Sequence, residues 1–237
     1  MVWKGTKPVS LFLMKLGYWR KVLQKKEVYY PLQIRKKRFR SGNTFSSWTV
    51  CPDGLNAESL VLSFGVGKDI SWETAIVRKY GCRILLFDPT PASVEWISRQ
   101  ELPQNITFYS FGISDHDGTE RFYLPADENH VSASVCSGAS SNRFFEAEVH
   151  TLGWILEMTG IKKADILKMD IEGAEYKVIQ NLQALDFRPQ QILIEFHHRF
   201  PEIQLSDTRT AIKTLNELGY KIFYISPNGE EYSFIRV

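Results

Sequence analysis

The sequence predicts an α/β fold, a mostly parallel seven-stranded sheet with helices on both faces and an antiparallel C-terminal hairpin. Three observations lead to it. From Ser59 onward, strand-like runs alternate with helical patterns, the order of strands joined by crossover helices. The run ILKM, residues 166–169, ends in the acidic, glycine-bearing turn DIEGAE, as a buried strand does when it delivers carboxylates to the rim of a sheet. The chain closes on YKIFYIS and EYSFIRV, joined through Pro227, Asn228 and Gly229.

SLVLSFG is the first strand, and its helix runs from about Ser71, a good N-cap, to Tyr80, with Gly81 at the stop. CRILLFD is the second strand, after which Thr90 and Pro91 supply the cap and first residue of the helix containing SVEWISRQ. NITFYSFGIS is the third strand, closed by SDHDG and followed by a short extended piece, RFYLP. Residues 126 to 144 form a Ser-rich loop, longer than the usual connection and therefore either a functional lid or a mobile segment. Strand FFEAEVH, helix TLGWILEMTG with Gly160 as its stop, and strand ADILKMD come next. The following helix places Ala174, Val178, Leu182 and Leu185 on one face. After strand QQILIEFH, Ser206 caps a helix whose stripe Ala211, Ile212, Leu215 and Leu218 ends at Gly219, and the hairpin completes a Rossmann-like layout with an antiparallel edge.

With 237 residues, 43% of them hydrophobic, the chain suffices for one such domain plus an extension, read as a basic segment over 1–50 and the domain proper over 51–237. The N-terminal apolar run Val9 to Leu16 is short and interrupted by Lys15, which predicts neither a transmembrane helix nor a cleaved signal. Cys51, Cys82 and Cys136 are widely spaced and form no CxxC pair, so a reducing, cytoplasmic setting is expected. Charge is lopsided: residues 1 to 40 hold 12 Lys or Arg against the single Glu27, while the rest carries 17 basic and 26 acidic side chains. Such an arm, sharpest at Arg35, Lys36, Lys37, Arg38 and Arg40, could grip an anionic membrane surface or a phosphorylated substrate, or fold back on its own domain. A nucleic-acid role lacks any accompanying motif.

The chemistry starts at Gly65 and Gly67, where the first strand turns into its helix. A Gly-x-Gly turn lets backbone approach a ligand, because a Cβ would occupy the ligand's space. An ordinary strand-to-helix turn would use glycine too. Ile70 stands where a dinucleotide fingerprint needs its third small residue, and the P-loop Gly-Lys-Ser/Thr is absent, so pyrophosphate binding is disfavoured. Asp88 ends the second strand and could either accept two hydrogen bonds from a ribose diol or cap the next helix. Together these residues favour a nucleoside cofactor without a pyrophosphate.

The succession SFGVGKDISWE, LLFDPTP, YSFGISDHDG, HTLGWIL, ILKMDIEGAEYKVIQNL and ILIEFHHR resembles the FkbM-type class I methyltransferases over residues 59 to about 200. That resemblance implies S-adenosylmethionine (SAM) as cofactor. By it, Gly65 and Gly67 border the methionine part, Asp88 holds the ribose hydroxyls, and Gly112, Ile113 and Ser114 lie along the adenine edge. The resemblance is to the methyltransferase-like branch whose first motif begins Ser-Phe-Gly; in the wider family an acid usually precedes the glycines, whereas Ser63 stands here. Asp69 or Glu73 could then meet the SAM ammonium, although Glu73 in the first helical turn could merely complement the helix dipole.

Methyl transfer needs an acceptor held in line with the methyl group and relieved of its proton. Glu195 and His197, two apart on one strand, should project to the same side, with Asp170 emerging from the neighbouring strand. Asp170, Glu195 and His197 could bind Mg2+ or Mn2+, or Asp170 or His197 could act directly as a base. Alternatively, Glu195 pairs with Lys168, and His197 and His198 cap the strand. Glu172 and Glu175 read as braces of the helix start. Trp48, Trp72 and Trp154 could stack on a sugar or fill the core. The reading is O-methylation of a small molecule, sugar or lipid-linked glycan. The rivals are a Rossmann-like binding module with a decayed site and a nicotinamide-dependent oxidoreductase.

Overall fold

The computed structural model describes residues 8–44, 46–125 and 140–237. Its elements are α1 (Pro8–Leu23), β1 (Phe39–Ser41), β2 (Trp48–Val50), β3 (Leu60–Phe64), α2 (Ser71–Tyr80), β4 (Arg83–Phe87), α3 (Pro91–Ile97), β5 (Ile106–Tyr109), β6 (Gly112–Ser114), β7 (Gly118–Pro125), β8 (Ser140–Thr151), α4 (Leu152–Thr159), β9 (Ile166–Met169), α5 (Glu175–Leu182), β10 (Gln191–Glu195), α6 (Leu205–Glu217), β11 (Tyr220–Ile225) and β12 (Glu231–Arg236).

Seven strands form the main sheet in the order β11-β12-β10-β9-β3-β4-β5. β3, β4, β5, β9 and β10 pair in parallel, and β12 runs antiparallel to both β10 and β11. The chain leaves β3 toward β4 and β5, then returns to β9 on the other side of β3, so a crevice opens at the carboxyl ends of β3 and β9. Register levels the rim. Phe64 aligns with Phe87 and with Met169, and Met169 with Ile194, so Gly65, Asp88, Asp170 and Glu195 each stand one residue past a common row.

Side-chain alternation supplies the two cores. Leu62, Phe64, Leu85, Phe87, Leu167, Met169, Ile192 and Ile194 meet α4, α5 and α6, whereas Val61, Ile84, Leu86, Ile166 and Leu193 meet α2 and α3. Helix stops fall where the sequence places them, at Gly81 and Gly160, both left-handed caps; α4 begins at Thr151, whose hydroxyl accepts from the Trp154 N–H. Two caps differ. Asp69 Oδ1 accepts from Ser71 N, so Asp69 rather than Ser71 satisfies the start of α2. Gln204 with Asp207 forms the box that starts α6, two residues before the position Ser206 predicts.

Two further departures bear on the site. NITFYSFGIS is not one strand: it breaks at Ser110 and Phe111, whose ring turns back onto Phe87 and Tyr109, and β6 joins a separate three-stranded sheet, β6-β8-β7. The hairpin does form the antiparallel edge, with β12 against β10 and β11 outermost. The loop expected over 126–144 is shorter, because β8 begins at Ser140; residues 126–139, with Cys136, lie outside the described residues.

The basic arm folds back on its own domain. Gln33 and Ile34 donate their N–H groups to Ile222 O on the edge strand β11, and Ile222 N donates to Gln33 Oε1. The buried Glu27 carboxylate pairs with His198 and Arg199, whose hydrogen bonds hold its pKa down although burial opposes this. Arg40 donates to Ser47 and Tyr224 and lies 3.5 Å from Glu231. Val50 is buried in the α2–α3 core, a contribution of roughly 1.5–3 kcal/mol. Cys51 and Cys82 are buried free thiols, and among the described residues no helix is long and apolar enough to cross a membrane.

Candidate active site

A cavity of about 310 Å³ sits over the tips of β3, β4 and β9. Gly65 (φ +77°) and Gly67 (φ +58°) line it, in a left-handed conformation that favours glycine, but for different steric reasons. A Cβ on Gly65 would lie 1.6 Å from the Asp170 carbonyl oxygen, so this glycine is demanded by the neighbouring strand tip rather than by a ligand. At Gly67 a Cβ would meet nothing within 4 Å; its space is the cavity.

Asp88 is buried at the rim and braces the turn. Its Oδ2 accepts from Val66 N (2.9 Å) and Gly67 N (2.8 Å), and its Oδ1 accepts from Thr90 N (2.8 Å) and Thr90 Oγ1 (2.7 Å). Those four bonds fill the carboxylate's acceptor positions. Pro89, Ile113 and Phe122 give the cavity an apolar slot beside Asp88, and Gly112 packs against Pro89, where a Cβ would come within 3.0 Å. Ser114 turns away, donating to Glu120 Oε2 at 2.7 Å.

Glu73 stands behind the glycine turn. Its Oε1 accepts from Ser63 Oγ (2.8 Å) and lies 3.8 Å from Lys168 Nζ, which in turn donates to Gly65 O at 2.9 Å. Burial pushes the Glu73 pKa up, and the Lys168 charge opposes it. This network explains Ser63, whose hydroxyl bonds the acid from the helix. Lys168 was missed as a support of the turn; the signal was a lone lysine inside the apolar strand ILKM, here facing the Trp48 ring at 5.1 Å. Its buried partner is Glu73, not Glu195. Asp69, by contrast, lines the cavity.

The tip of β9 gathers the acids. Glu172 adopts φ +53°, an uncommon conformation for a non-glycine residue that costs about 1–2 kcal/mol. Glu175, fully buried, accepts from Ile171 N and Gly173 N and so fixes that turn. His197 Nδ1 lies 2.9 Å from Glu175 Oε1, and its Nε2 lies 3.3 Å from Glu172 and 3.8 Å from Asp170. Burial would lower the imidazole pKa, but Glu175 above all, then Glu172 and Asp170, raise it well above the usual histidine value. Asp170 keeps 30% of its side chain exposed at the cavity, while the protein packed around it raises its pKa, with Lys168 and His197 opposing.

Glu195 does not join His197. β10 ends at Glu195, and a turn closed by Phe200 N to His197 O carries His197 over the tip of β9. Glu195 instead faces a second cavity of about 1010 Å³, and burial, helped by the Asp170 charge, pushes its pKa up to about 9. Among the described residues, Asp170, Glu172 and His197 bring possible ligand atoms within 4.8 Å of one another. The second cavity is walled by Tyr18, Trp19, Tyr29, Tyr30 and Tyr224, with Arg40 and Glu231 near Glu195. The tryptophans singled out in the sequence are elsewhere: Trp48 and Trp72 fill the core, and Trp154 stacks on His150 at 3.5 Å.

The family model described as the methyltransferase FkbM domain matches residues 61–222. Probable methyltransferase-like protein 24 of Homo sapiens and of Rattus norvegicus are each 25% identical over 202 residues, 78% of this chain. The match covers 49% and 50% of their lengths, so the chain spans about half of the curated relatives it matches. Among solved structures, the chain is similar to Aeropyrum pernix fibrillarin in complex with natively bound S-adenosyl-L-methionine, with a TM-score of 0.41 and 12% identity over 77% of this chain and 67% of that one. A methyltransferase from Pyrococcus furiosus gives 0.36 and 10% over 95% and 97%. With the family model covering well over half of its length, the chain belongs to the methyltransferase FkbM family.

Proposed function

We propose that this chain moves a methyl group from SAM to an oxygen of a small molecule, sugar or lipid-linked glycan. The observation that carries the reading is that Gly67 and Asp88, past the ends of β3 and β4, Ile113 of β6, and Asp170, past the end of β9, line a single cavity. At about 310 Å³ it lies at the lower end of small-molecule sites. The open Cβ direction of Gly67 leaves room for the methionine part, and the slot of Pro89, Ile113 and Phe122 suits a planar base. The Asp88 carboxylate can take a ribose hydroxyl when Thr90 Oγ1 turns wholly to Ser93 Oγ, already 2.6 Å away. Asp69, rather than the enclosed Glu73, is the acid placed to meet the ammonium.

SAM supplies an electrophilic methyl group, and the chain must orient the acceptor and take its proton. Asp170 is the proton acceptor we assign, since its carboxylate reaches the cavity from the tip of β9. His197, holding its own proton, offsets the surrounding carboxylates and fixes their positions. Glu195, protonated near neutral pH, offers a hydrogen-bond donor to an acceptor in the larger cavity. Should Mg2+ or Mn2+ take part, Asp170, Glu172 and His197 would hold it, with His197 Nδ1 braced by Glu175 in the manner of metal-bound imidazoles.

Calorimetry with SAM and with NAD tests the reading. Binding of SAM alone supports it; binding of NAD alone points to an oxidoreductase, and binding of neither to a decayed module. Asp170→Asn should lower kcat at least 100-fold with little change in SAM affinity. Activity unchanged by chelation, and not raised by added Mg2+ or Mn2+, removes the metal arm.

A further inference from the structure

Helix α1 turns an apolar stripe outward. Leu13, Leu16, Trp19 and Leu23 recur at spacings of three, three and four and share one face. They are 60%, 50%, 47% and 82% exposed. The opposite face is what seats the helix: Tyr18 donates its hydroxyl to Val28 O and lies against Gly229, where a Cβ would come 2.3 Å from its ring. Lys15, Arg20 and Lys21 flank the stripe, Lys25 and Lys26 follow it, and the exposed Arg35 and Lys36 add to a segment of strong positive charge. The mouth of the larger cavity opens beside it, at Met14, Trp19 and Leu32.

We propose that this face docks on an anionic lipid bilayer, with α1 lying in the plane of the headgroups. A basic helix with exposed leucines and a tryptophan buries its apolar side at the headgroup boundary while Lys and Arg meet anionic lipid. Charge decides against a second copy of the chain, because pairing the face with itself would bring two strongly basic segments together. The inference does not depend on the SAM reading.

The test is flotation of the full chain with vesicles of phosphatidylcholine alone and with about 30% phosphatidylserine, in low and high salt. Binding to the anionic vesicles is expected, at least tenfold weaker to the neutral ones and weakened by salt. L16E/L23E should lose at least tenfold in affinity, and K25E/K26E about fivefold or more for each charge reversed. Thermal unfolding checks that both variants fold; if L16E/L23E does not, K25E/K26E decides. Three results overturn the proposal: no binding to anionic vesicles, binding indifferent to these substitutions, or a wild-type dimer in sedimentation that L16E/L23E splits. Binding of RNA without binding of vesicles does so as well.

Discussion

Gly65 and Asp170 press against each other so closely that a single methyl group on Gly65 would overlap the Asp170 carbonyl. Gly65→Ala therefore combines a left-handed conformation with a backbone collision. It should cost about 3 kcal/mol or more and lower Tm by roughly 6–12 °C. Gly67→Ala meets open space and should cost only about 1–2 kcal/mol, yet reduce SAM affinity at least tenfold because its methyl enters the cavity. Equal losses of stability in the two variants would refute the distinction.

Asp88 predicts a split between Asn and Ala. Asp88→Ala leaves the Val66 and Gly67 N–H groups without their acceptor, about 1–3 kcal/mol each. Asp88→Asn keeps one acceptor oxygen for Val66 and Gly67 but turns an amide nitrogen, which cannot accept, toward Thr90 N, so it should cost less than Asp88→Ala, about 1–3 kcal/mol, while losing at least tenfold in SAM affinity. Paired measurements of Tm and calorimetric Kd separate the bracing role from the binding role.

The pair Glu73 and Lys168 should act on stability first. Glu73→Gln is expected to leave SAM affinity within about threefold, and a larger loss would return Glu73 to the binding site. Lys168→Met strands a buried carboxylate and removes the donor to Gly65 O, which should cost about 3–5 kcal/mol. The double variant should recover part of that loss, because neither charge then remains buried.

Glu195 gives stability a pH slope. A carboxyl whose pKa rises from 4.5 to about 9 on folding binds its proton more tightly when folded, so stability is undiminished below pH 4.5 and lost as pH climbs through 9. Glu195→Gln removes this penalty. The variant should melt several degrees above wild type at pH 9, with the gap closing toward pH 4.5; a gap that is constant with pH contradicts the assignment.

Much of this was legible in the sequence because it depends on local periodicity. The strand ending in Phe64, Phe87 and Met169 could be read from apolar runs, and register alone then carries Gly65, Asp88 and Asp170 to one rim. Contacts fixed by distant partners were not legible. Nothing local says that Lys168 seeks Glu73, that His197 leaves the face of Glu195 once β10 ends, or that Ser110 and Phe111 divert the chain into a second sheet. The arm offered only charge, while its docking uses Gln33, Glu27 and Tyr18, single side chains with no pattern to announce them.

The Gln191 side chain, finally, accepts from Cys51 N and donates to Cys51 O, both at 2.8 Å, so one amide imitates the rung of a β-ladder between the amino-terminal segment and the middle of the sheet. With Trp48 and Val50 lodged under that stitch, the two parts should melt together, as a single cooperative transition rather than a peeling followed by collapse. A truncation at residue 51 would then yield an unstable remnant instead of a minimal enzyme.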